Sequence, residues 1–368
     1  MTTDLDALLA GLRRSPDLEA AELRAWDAAD RYLLDTATPA LAAGTAEVVV
    51  VDDTHGALTL GALALGARRL RVHQDSLVAQ RALVANAAGS GDFSHHPLRE
   101  VITTDARLAL LRLPRSLDRL DAVARDLAAR AHPDLVLIAG NMHKHMTPAQ
   151  NDVLRSSFDQ VEVSLARGKA RLLTARGPRV REPAPPARAY DSELGLHVVA
   201  LPGVFAAASV DIGTRALFAV ADQLPAYDTA IDLACGSGVL AAFLARRAPG
   251  ARVIASDVSA VAVTSAALTA EANGVAVDTV HDDGLSLQPD ASADLIVLNP
   301  PFHIGAAVHT GIALRLFAEA GRVLRPGGQL WSVWNSHLAY SPVLERSVGP
   351  TRQLSRTPKF TVTVSRRR

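Results

Sequence analysis

Short apolar segments alternate with longer amphipathic segments along nearly the whole of this 368-residue chain. The clearest apolar segment is Glu47-Val-Val-Val-Val51, a continuous β-branched run that is typical of a strand buried on both faces of a sheet. Strands that alternate with helices form parallel sheets with helices packed on both faces. The chain is therefore predicted to be an α/β protein with doubly wound, Rossmann-like sheets.

The alternation predicts individual elements after amphipathic helices in the first 45 residues or so. In the first half, strands are expected near 47–51, 70–72, 100–102, 108–113, 134–138, 161–165 and 170–175, and helices near 57–65, 76–88, 118–131 and 148–157. In the second half, strands are expected near 230–233, 252–256, 278–281, 295–298, 329–334 and as a pair within 353–364, and helices near 239–247, 259–273, 311–324 and 338–348. Because the order of elements repeats, we infer an internal duplication.

A proline-rich segment interrupts the alternation. Its prolines, which exclude a helix or a central strand, are Pro178, Pro183, Pro185 and Pro186. A chain of 368 residues is long enough for two domains with separate cores. We therefore expect one domain over residues 1–176, a linker over 177–190 and a second domain over 191–368.

The motif Asn299-Pro300-Pro301-Phe302 follows the strand expected at 295–298. Neither proline can donate a ladder hydrogen bond, so the strand must end there and hold the asparagine at the carboxyl edge, where open α/β sheets bind ligands. The Asn299 carboxamide oxygen and the Pro300 carbonyl can accept from the N–H groups of a planar amine as charge develops on nitrogen, and Phe302 can stack on its ring. This pattern predicts methyl transfer to nitrogen; a loop in which Asn299 only caps a turn is the alternative.

Three other strand ends carry residues suited to a nucleotide cofactor. Asp232-Leu-Ala-Cys-Gly236-Ser-Gly238 is a glycine turn that lets the backbone approach a ligand at a helix amino terminus. Asp257 follows the second strand, where an acid binds ribose hydroxyls, and Asp282-Asp283 follows the third, where a side chain can accept from an adenine amine. The glycine turn alone fits a dinucleotide equally well. Together with Asn-Pro-Pro-Phe, the set favours S-adenosyl-L-methionine over NAD.

Composition excludes several other classes. No segment is long and apolar enough to span a bilayer, no secretory signal is evident at the start, and the single cysteine, Cys235, excludes an internal disulfide. We therefore expect a cytoplasmic protein without a membrane partner. The histidines do not form a metal-binding pattern, so no metal is predicted. The formal net charge is +0, which is not the overall signature of a nucleic-acid binder, but basic clusters within 167–188 and 352–368 permit an RNA partner.

The second half resembles the guanine-N2 ribosomal RNA methyltransferases of the RlmG and RsmC type, which consist of two tandem class I methyltransferase folds. The similar segments are Leu201-Pro-Gly-Val-Phe205, Val210-Asp-Ile-Gly-Thr-Arg215, the turn Asp232 to Gly238, Asn299-Pro-Pro-Phe-His303, Trp334-Asn-Ser-His-Leu338 and Lys359-Phe360. In the first half, Gly140-Asn-Met-His-Lys-His145 and Ser164-Leu-Ala-Arg-Gly-Lys-Ala-Arg171 look more like RlmG than RsmC.

The resemblance implies S-adenosyl-L-methionine-dependent methylation of a guanine N2 amine in ribosomal RNA. It also implies that the first fold is degenerate and helps to hold RNA, and the sequence agrees. Asp52-Asp-Thr-His-Gly56 stands in place of a glycine turn, and Arg112-Leu-Pro-Arg115 stands in place of the asparagine motif. By the same resemblance, the cofactor pocket is lined by residues ahead of the first strand of the second half, namely Asp211, Gly213 and Thr214.

Two other functions stay open from the sequence alone. One keeps the chemistry and changes the acceptor to a protein glutamine or a small-molecule amine. The other is a non-catalytic RNA-binding or assembly factor that retains the fold. Cys235 is expected to be a small buried residue of the glycine turn rather than a nucleophile, and His303 either orients substrate or is an ordinary loop histidine.

Overall fold

The computed structural model describes residues 5–20, 22–44, 47–89, 91–301 and 306–368, with side chains from residue 311 in the last range. The chain divides into two compact units, Met1–Pro185 and Pro186–Arg368. Each unit contains one seven-stranded sheet with helices, so the predicted α/β fold with two tandem methyltransferase-like parts is confirmed.

The sheet of the first unit has the strand order β3-β2-β1-β4-β5-β7-β6. Its strands are β1 (Glu47–Val51), β2 (Leu70–His73), β3 (Phe93–His95), β4 (Ala106–Arg112), β5 (Val136–Met142), β6 (Phe158–Val163) and β7 (Ala170–Pro178). Its helices are α1 (Leu5–Gly11), α2 (Ala28–Ala42), α3 (Ala57–Ala64), α4 (Leu77–Ala87), α5 (Leu98–Val101), α6 (Leu117–Arg130) and α7 (Pro148–Ser157). Strands β1 to β5 are parallel, and β7 runs antiparallel to both β5 and β6.

The all-valine run of β1 explains why this strand lies in the middle of its sheet. Val48 and Val50 pack into the core on one face, while Val49 and Val51 pack into a second core on the other face. All four side chains are at most 2% exposed. Alternating side chains point to opposite faces of a strand, so an unbroken apolar run is stable only where helices cover both.

The sheet of the second unit has the matching order β12-β11-β10-β13-β14-β16-β15, beside a separate hairpin of β8 and β9. The strands are β8 (Ala187–Asp191), β9 (Leu196–Ala200), β10 (Thr229–Leu233), β11 (Arg252–Asp257), β12 (Asp278–His281), β13 (Ala293–Leu298), β14 (Leu324–Asn335), β15 (Thr351–Arg356) and β16 (Phe360–Arg366). The helices are α8 (Ile212–Phe218), α9 (Val239–Arg247), α10 (Ala260–Ala272), α11 (Ala306–Val323) and α12 (Ser341–Ser347). The identical topology of the two sheets supports a duplication.

Most predicted elements are confirmed to within a few residues, and the exceptions have physical reasons. The strand expected near 100–102 is wrong: Leu98–Val101 is a helical turn started by a proline, and the strand is Phe93–His95 at the sheet edge. A three-residue edge strand carries too little pattern to be recognised. The β8–β9 hairpin was not predicted.

The proline-rich segment is shorter than predicted. Strand β7 continues to Pro178 and β8 begins at Ala187, which leaves 179–186 without regular structure. Pairing of β7 with β5 ends at Ala175, so Pro178 lies where β7 has a neighbour on one side only. A proline is tolerated at such an edge position because no second ladder hydrogen bond is lost. Within the described ranges, no helix has both the length and the hydropathy to cross a membrane.

Candidate active site at the carboxyl edge of the second sheet

The predicted site residues of the second unit come together because three parallel strands end side by side. Strand β10 pairs with β11 and with β13, and Leu233 lies opposite Ser256 on one side and Leu298 on the other. The glycine turn, Asp257 and Asn299 follow these residues directly. They therefore share one edge of the sheet, as expected for parallel strands.

The side-chain amide of Asn299 is held from one side by the first turn of α8. Its Nδ2 donates to Oδ2 of Asp211 at 3.1 Å and to Oγ1 of Thr214 at 3.0 Å. A carboxylate only accepts hydrogen bonds, so these contacts fix which end of the amide is nitrogen. The buried Oδ1 has no hydrogen-bond partner among the described residues. It is the one unused acceptor of this side chain.

Helix α8 presents its partners to Asn299 through its own amino-terminal cap. Asp211 is the N-cap residue, and its Oδ2 also accepts from the backbone N–H of Gly213 at 2.8 Å. A Cβ atom on Gly213 would lie 2.9 Å from that same oxygen and 3.3 Å from Oδ1 of Asn299. The amide therefore packs directly on helix backbone, where only glycine leaves enough room. The structure places Asp211, Gly213 and Thr214 around Asn299, which the sequence did not reveal.

The two glycines of the turn have different surroundings. Both have left-handed φ angles, 53° for Gly236 and 76° for Gly238. A Cβ on Gly238 would come within 2.6 Å of Ala266 in α10, whereas a Cβ on Gly236 would meet nothing within 4 Å. Gly238 thus serves close helix packing, and Gly236 borders open space at the amino terminus of α9.

Asp232 contributes a second unused acceptor to this edge. Its Oδ2 accepts from the backbone N–H of Ala241 at 2.9 Å, and its buried Oδ1 has no partner among the described residues. Burial raises the pKa of Asp232 to about 8, against the lowering effect of the Ala241 hydrogen bond and with a further rise from the Asp257 carboxylate. A positively charged group beside Oδ1 would stabilise the ionised form.

The other three acids at this edge, Asp257, Asp282 and Asp283, have different hydrogen-bond and ion-pair partners. Asp257 accepts from the backbone N–H groups of Gly236 and Ser259, each at 3.0 Å, and so ties the second strand end to the turn. Asp283 forms an ion pair with Arg315 at 2.6 Å. Asp282 is fully buried and accepts from the N–H groups of Asp283 and Leu287 and from the Ser286 hydroxyl. These hydrogen bonds hold the Asp282 carboxylate to its own loop, and the expected contact of Asp282 with a cofactor stays a prediction.

Other predicted residues of the edge are placed as follows. Pro300 is buried and Pro301 is exposed, while Phe302 and His303 lie outside the described residues. Cys235 is buried, and burial together with the Asp257 and Asp232 carboxylates raises the pKa of its thiol, so it is not an ionised nucleophile. In the part of the chain that the structure describes, no group of three or more His, Cys, Asp or Glu side chains is arranged to hold a metal ion.

In the first unit, an acid fills the equivalent turn. Asp52 and Gly56 have left-handed φ angles of 59° and 94° before α3, as Ala234 and Gly238 do before α9. The Asp53 carboxylate accepts from the N–H of Gly56 at 3.1 Å and from the N–H of Thr59 at 2.7 Å. Thr59 and Ala241 each lie three residues after the turn glycine, so both helix amino termini are capped by a carboxylate. The difference is that Asp53 uses both of its oxygens, whereas Asp232 keeps one buried oxygen without a partner among the described residues.

In the first unit, a different residue type stands at the position equivalent to Asn299. Val51 pairs with Leu111 as Leu233 pairs with Leu298, so Arg112 is the topological equivalent of Asn299. Its guanidinium forms a bidentate ion pair with Asp27, at 2.8 and 2.9 Å, and contacts Asp30 at 3.1 Å. Burial raises the pKa of Asp30 to about 7, although Arg112 opposes this shift. The amide of the second unit is replaced here by an internal ion cluster.

Several basic residues lie at the carboxyl edge of the first sheet. His143 to His145 form a short turn after β5, and Arg115 follows β4 with its Nη2 3.4 Å from the His145 ring. Lys169 precedes β7, and its carbonyl accepts from the N–H of His143 at 2.7 Å. We call Arg115, Lys144, Lys169 and Arg171 the basic edge. None of the four forms an ion pair with a described carboxylate.

Comparison with known families agrees with this division of the chain. Residues 2–179 match the family described as the RLMG N-terminal domain, and residues 195–364 match the one described as the Methyltransferase small domain. The second unit has the fold of a class I methyltransferase. It has a Rossmann-like sheet with a glycine turn, acids at the strand ends and an Asn-Pro-Pro motif at the carboxyl edge.

Curated relatives extend over the full length. The ribosomal RNA large subunit methyltransferase G of Streptomyces avermitilis is 35% identical, covering 98% of this chain and 97% of the relative. The protein of the same name from Shewanella amazonensis is 34% identical, covering 98% of this chain and 99% of the relative. The chain belongs to the ribosomal RNA large subunit methyltransferase G family. It is therefore an enzyme of the methyltransferase class, as predicted.

A solved structure supports the fold across both units. The 16S rRNA N2 G1207 methyltransferase (RsmC) of T. thermophilus, in complex with AdoMet and guanosine, has a TM-score of 0.75 and 24% identity, covering 95% of this chain and 97% of the other.

The two glycines of the turn should respond differently to alanine. A left-handed φ costs an alanine about 1 kcal/mol, so Gly236→Ala should lower the free energy of unfolding by about that amount. Gly238→Ala adds a clash with Ala266, and overpacking raises the total loss to about 2–4 kcal/mol. Urea denaturation followed by circular dichroism measures both. Equal losses would contradict the assignment of open space to Gly236.

The ion cluster of the first unit should make local stability depend on pH. Because the folded-state pKa of Asp30 is raised from 3.8 to about 7, its contribution to stability is full below pH 4 and declines as pH rises towards 7. Relative to Asp30→Asn, the wild type should lose about 2–3 kcal/mol between pH 5 and pH 7. Hydrogen exchange in peptides from α2 and β4, corrected for intrinsic rates, measures this. A difference independent of pH would rule it out.

Proposed function

We propose that this protein transfers a methyl group from S-adenosyl-L-methionine to the N2 amine of a guanine in ribosomal RNA, and that it acts in the cytoplasm. The observation that carries the proposal is the buried, unused Oδ1 of Asn299, held at a strand end beside the glycine turn. The curated relatives are named as large-subunit ribosomal RNA methyltransferases, which supports that RNA as the substrate. The similar solved structure is an N2 methyltransferase in complex with guanosine, which supports a guanine N2 acceptor.

The edge has groups suited to each part of the cofactor. Bound there, S-adenosyl-L-methionine would supply an electrophilic methyl group on a sulfonium. The unused Oδ1 of Asp232 would accept from its ammonium group, and the open space beside Gly236 would admit its methionine portion. Asp257 would accept from the ribose hydroxyls and Asp283 would lie towards the adenine. An ammonium beside Asp232 also offsets the burial that raises the pKa of this acid.

Asn299 would act on the amine rather than on the methyl group. Oδ1 and the Pro300 carbonyl accept from the two N–H groups and point the nitrogen lone pair at the electrophile. As the bond to carbon forms, positive charge develops on nitrogen, and two fixed oxygens stabilise it more than they stabilise the neutral amine. Holding both partners in line contributes about 7 kcal/mol or more. A carboxamide is not a base, so the proton passes to water after transfer.

The basic edge of the first unit would bind RNA phosphates. The chain is neutral overall, which argues against a general affinity for nucleic acid. Local potential, however, depends on nearby unpaired charges, because salt screens interactions beyond about 10 Å. Four cationic side chains without described carboxylate partners form such a local field.

Asn299→Ala tests the chemistry directly. Loss of the acceptor should reduce methyl transfer by about 10²- to 10³-fold, the effect of removing one hydrogen-bonding group aimed at developing charge. Cofactor affinity should change less than threefold. Tritium transfer from labelled cofactor to ribosomal RNA from a deletion strain measures turnover, and calorimetry measures affinity.

The matched control is Asn151→Ala, a half-buried asparagine of α7 in the first unit, which should leave turnover unchanged. Undiminished transfer by Asn299→Ala would refute the proposed role of this amide. Labelling of protein instead of RNA would redirect the proposal to a glutamine acceptor, and failure of the wild type to bind cofactor would support a non-catalytic factor.

The double variant Arg115→Ala/Lys144→Ala tests the basic edge. If each cation contacts a phosphate, the slope of log affinity against log salt should become shallower by about 1.4, since each contact to single-stranded RNA contributes about 0.7. Filter binding between about 50 and 300 mM salt measures the slope. Arg107→Ala removes an exposed arginine that pairs with Asp134 at the opposite end of β4 and should leave it unchanged. Equal slopes for all three proteins would exclude the basic edge from RNA binding.

A further inference from the structure

Both hydrogens of the Asn299 amide are committed to one helix turn. Nδ2 has two N–H groups, and its two partners are Oδ2 of Asp211 and Oγ1 of Thr214. Neither partner comes from β13 or from the motif itself; they are 88 and 85 residues away in sequence. The direction in which Oδ1 faces is therefore decided by α8, since the motif alone would permit either flip of the amide.

The two partners are themselves held in place. Asp211 is bound to the backbone of its own helix through Gly213, and the Thr214 side chain is only 6% exposed. The absence of a Cβ at Gly213 brings the amide against the helix backbone. Rotation of the amide by 180° would face Oδ1 towards the Asp211 carboxylate, and two acceptors without a shared proton repel each other.

The first unit provides an independent observation on the same three positions. Asp27 is the N-cap of α2 and accepts from the N–H of Ala29 at 2.8 Å, as Asp211 accepts from Gly213. Asp30 lies three residues after that cap, as Thr214 does after Asp211. Arg112 stands at the Asn299 position and contacts both acids.

The differences between the two units are therefore matched. The amide has two donors, and it lies between one carboxylate and one hydroxyl. The guanidinium has a full charge and more donors, and it lies between two carboxylates. A change at the strand end is accompanied by a change at the third residue of the helix, which indicates that the three positions work as one unit.

We propose that Asp211 and Thr214 are positioning residues of the methyl-transfer reaction, which fix the flip of the Asn299 amide so that Oδ1 accepts from the substrate amine. This inference rests on the proposed function and assigns to these two residues a role on the amide instead of direct binding of the cofactor. It follows that their loss affects turnover more than cofactor affinity.

The main test is Thr214→Val, which is nearly isosteric and removes one acceptor of Nδ2, with Thr214→Ser as the conservative variant that retains the hydroxyl. Loss of one such hydrogen bond should lower kcat about tenfold for valine, while serine stays within about threefold of the wild type. Calorimetric cofactor affinity should change less than threefold in both. The thermal midpoint should stay at the wild-type value for serine and fall by a few degrees for valine, because one N–H of Asn299 loses its acceptor. Asp211→Ser, which can still cap α8 but is too short to reach Asn299, should behave like the valine variant.

A second readout does not depend on activity. With side-chain ¹⁵N-labelled asparagine, both Nδ2 protons of Asn299 should exchange slowly with solvent in the wild type, and exchange should be faster in Thr214→Val but not in Thr214→Ser. Wild-type kcat and unchanged amide exchange in Thr214→Val would overturn the inference, as would a loss confined to cofactor affinity. A wild type that binds cofactor but methylates no RNA would refute the proposed function instead, and the exchange measurement would still decide the role of Thr214.

Discussion

The contact between the Asn299 amide and the first turn of α8 is the interaction on which the proposed chemistry of the second unit depends. It joins a strand end to a helix that precedes the whole sheet in sequence, and it does so with one carboxylate and one hydroxyl. The two prolines after Asn299 end the strand, which leaves the asparagine side chain at the sheet edge. The result is a carbonyl oxygen that is buried but unused, an arrangement that costs free energy in the absence of a ligand. Unsatisfied groups of this kind are typical of binding sites.

The two units share one sheet topology but differ in the residues at its carboxyl edge. In the second unit, open space beside Gly236 and unused oxygens on Asp232 and Asn299 leave the edge able to receive a ligand. In the first unit, Asp53 uses both of its oxygens at the start of α3, and Arg112 takes the strand-end position of Asn299. Each replacement satisfies the groups around it. At these two positions the first unit therefore offers a cofactor no unused acceptor.

The sequence predicted whatever depends on local pattern. Valine runs identified β1, proline pairs and glycine turns located the strand ends, and the parallel order then brought Asp257 and Asn299 to one edge. Contacts between residues that are 85 or more positions apart cannot be inferred from local pattern, so the sequence did not show that α8 holds Asn299. The sequence also did not show which acids are buried. Asp282 and Asp283 are adjacent in sequence, yet only the structure shows that the Asp282 carboxylate accepts from groups of its own loop. Net charge misled because it averages over a surface on which ion pairs cancel locally.

The charge state of the ion cluster affects the basic edge, which lies at the same end of the first sheet. With Asp30 protonated, Asp27 and Arg112 neutralise each other; with Asp30 ionised, the cluster carries one net negative charge. Burial, followed by the neighbouring Arg115 and Lys144, lowers the pKa of His145, and Asp27 and Arg112 of the cluster have smaller effects of opposite sign on it. A net negative charge on the cluster would weaken the attraction of nearby cationic side chains for phosphate. Burial of Asp30 keeps that charge partly suppressed up to about pH 7, so the packing that closes the first site also preserves the positive potential of its edge.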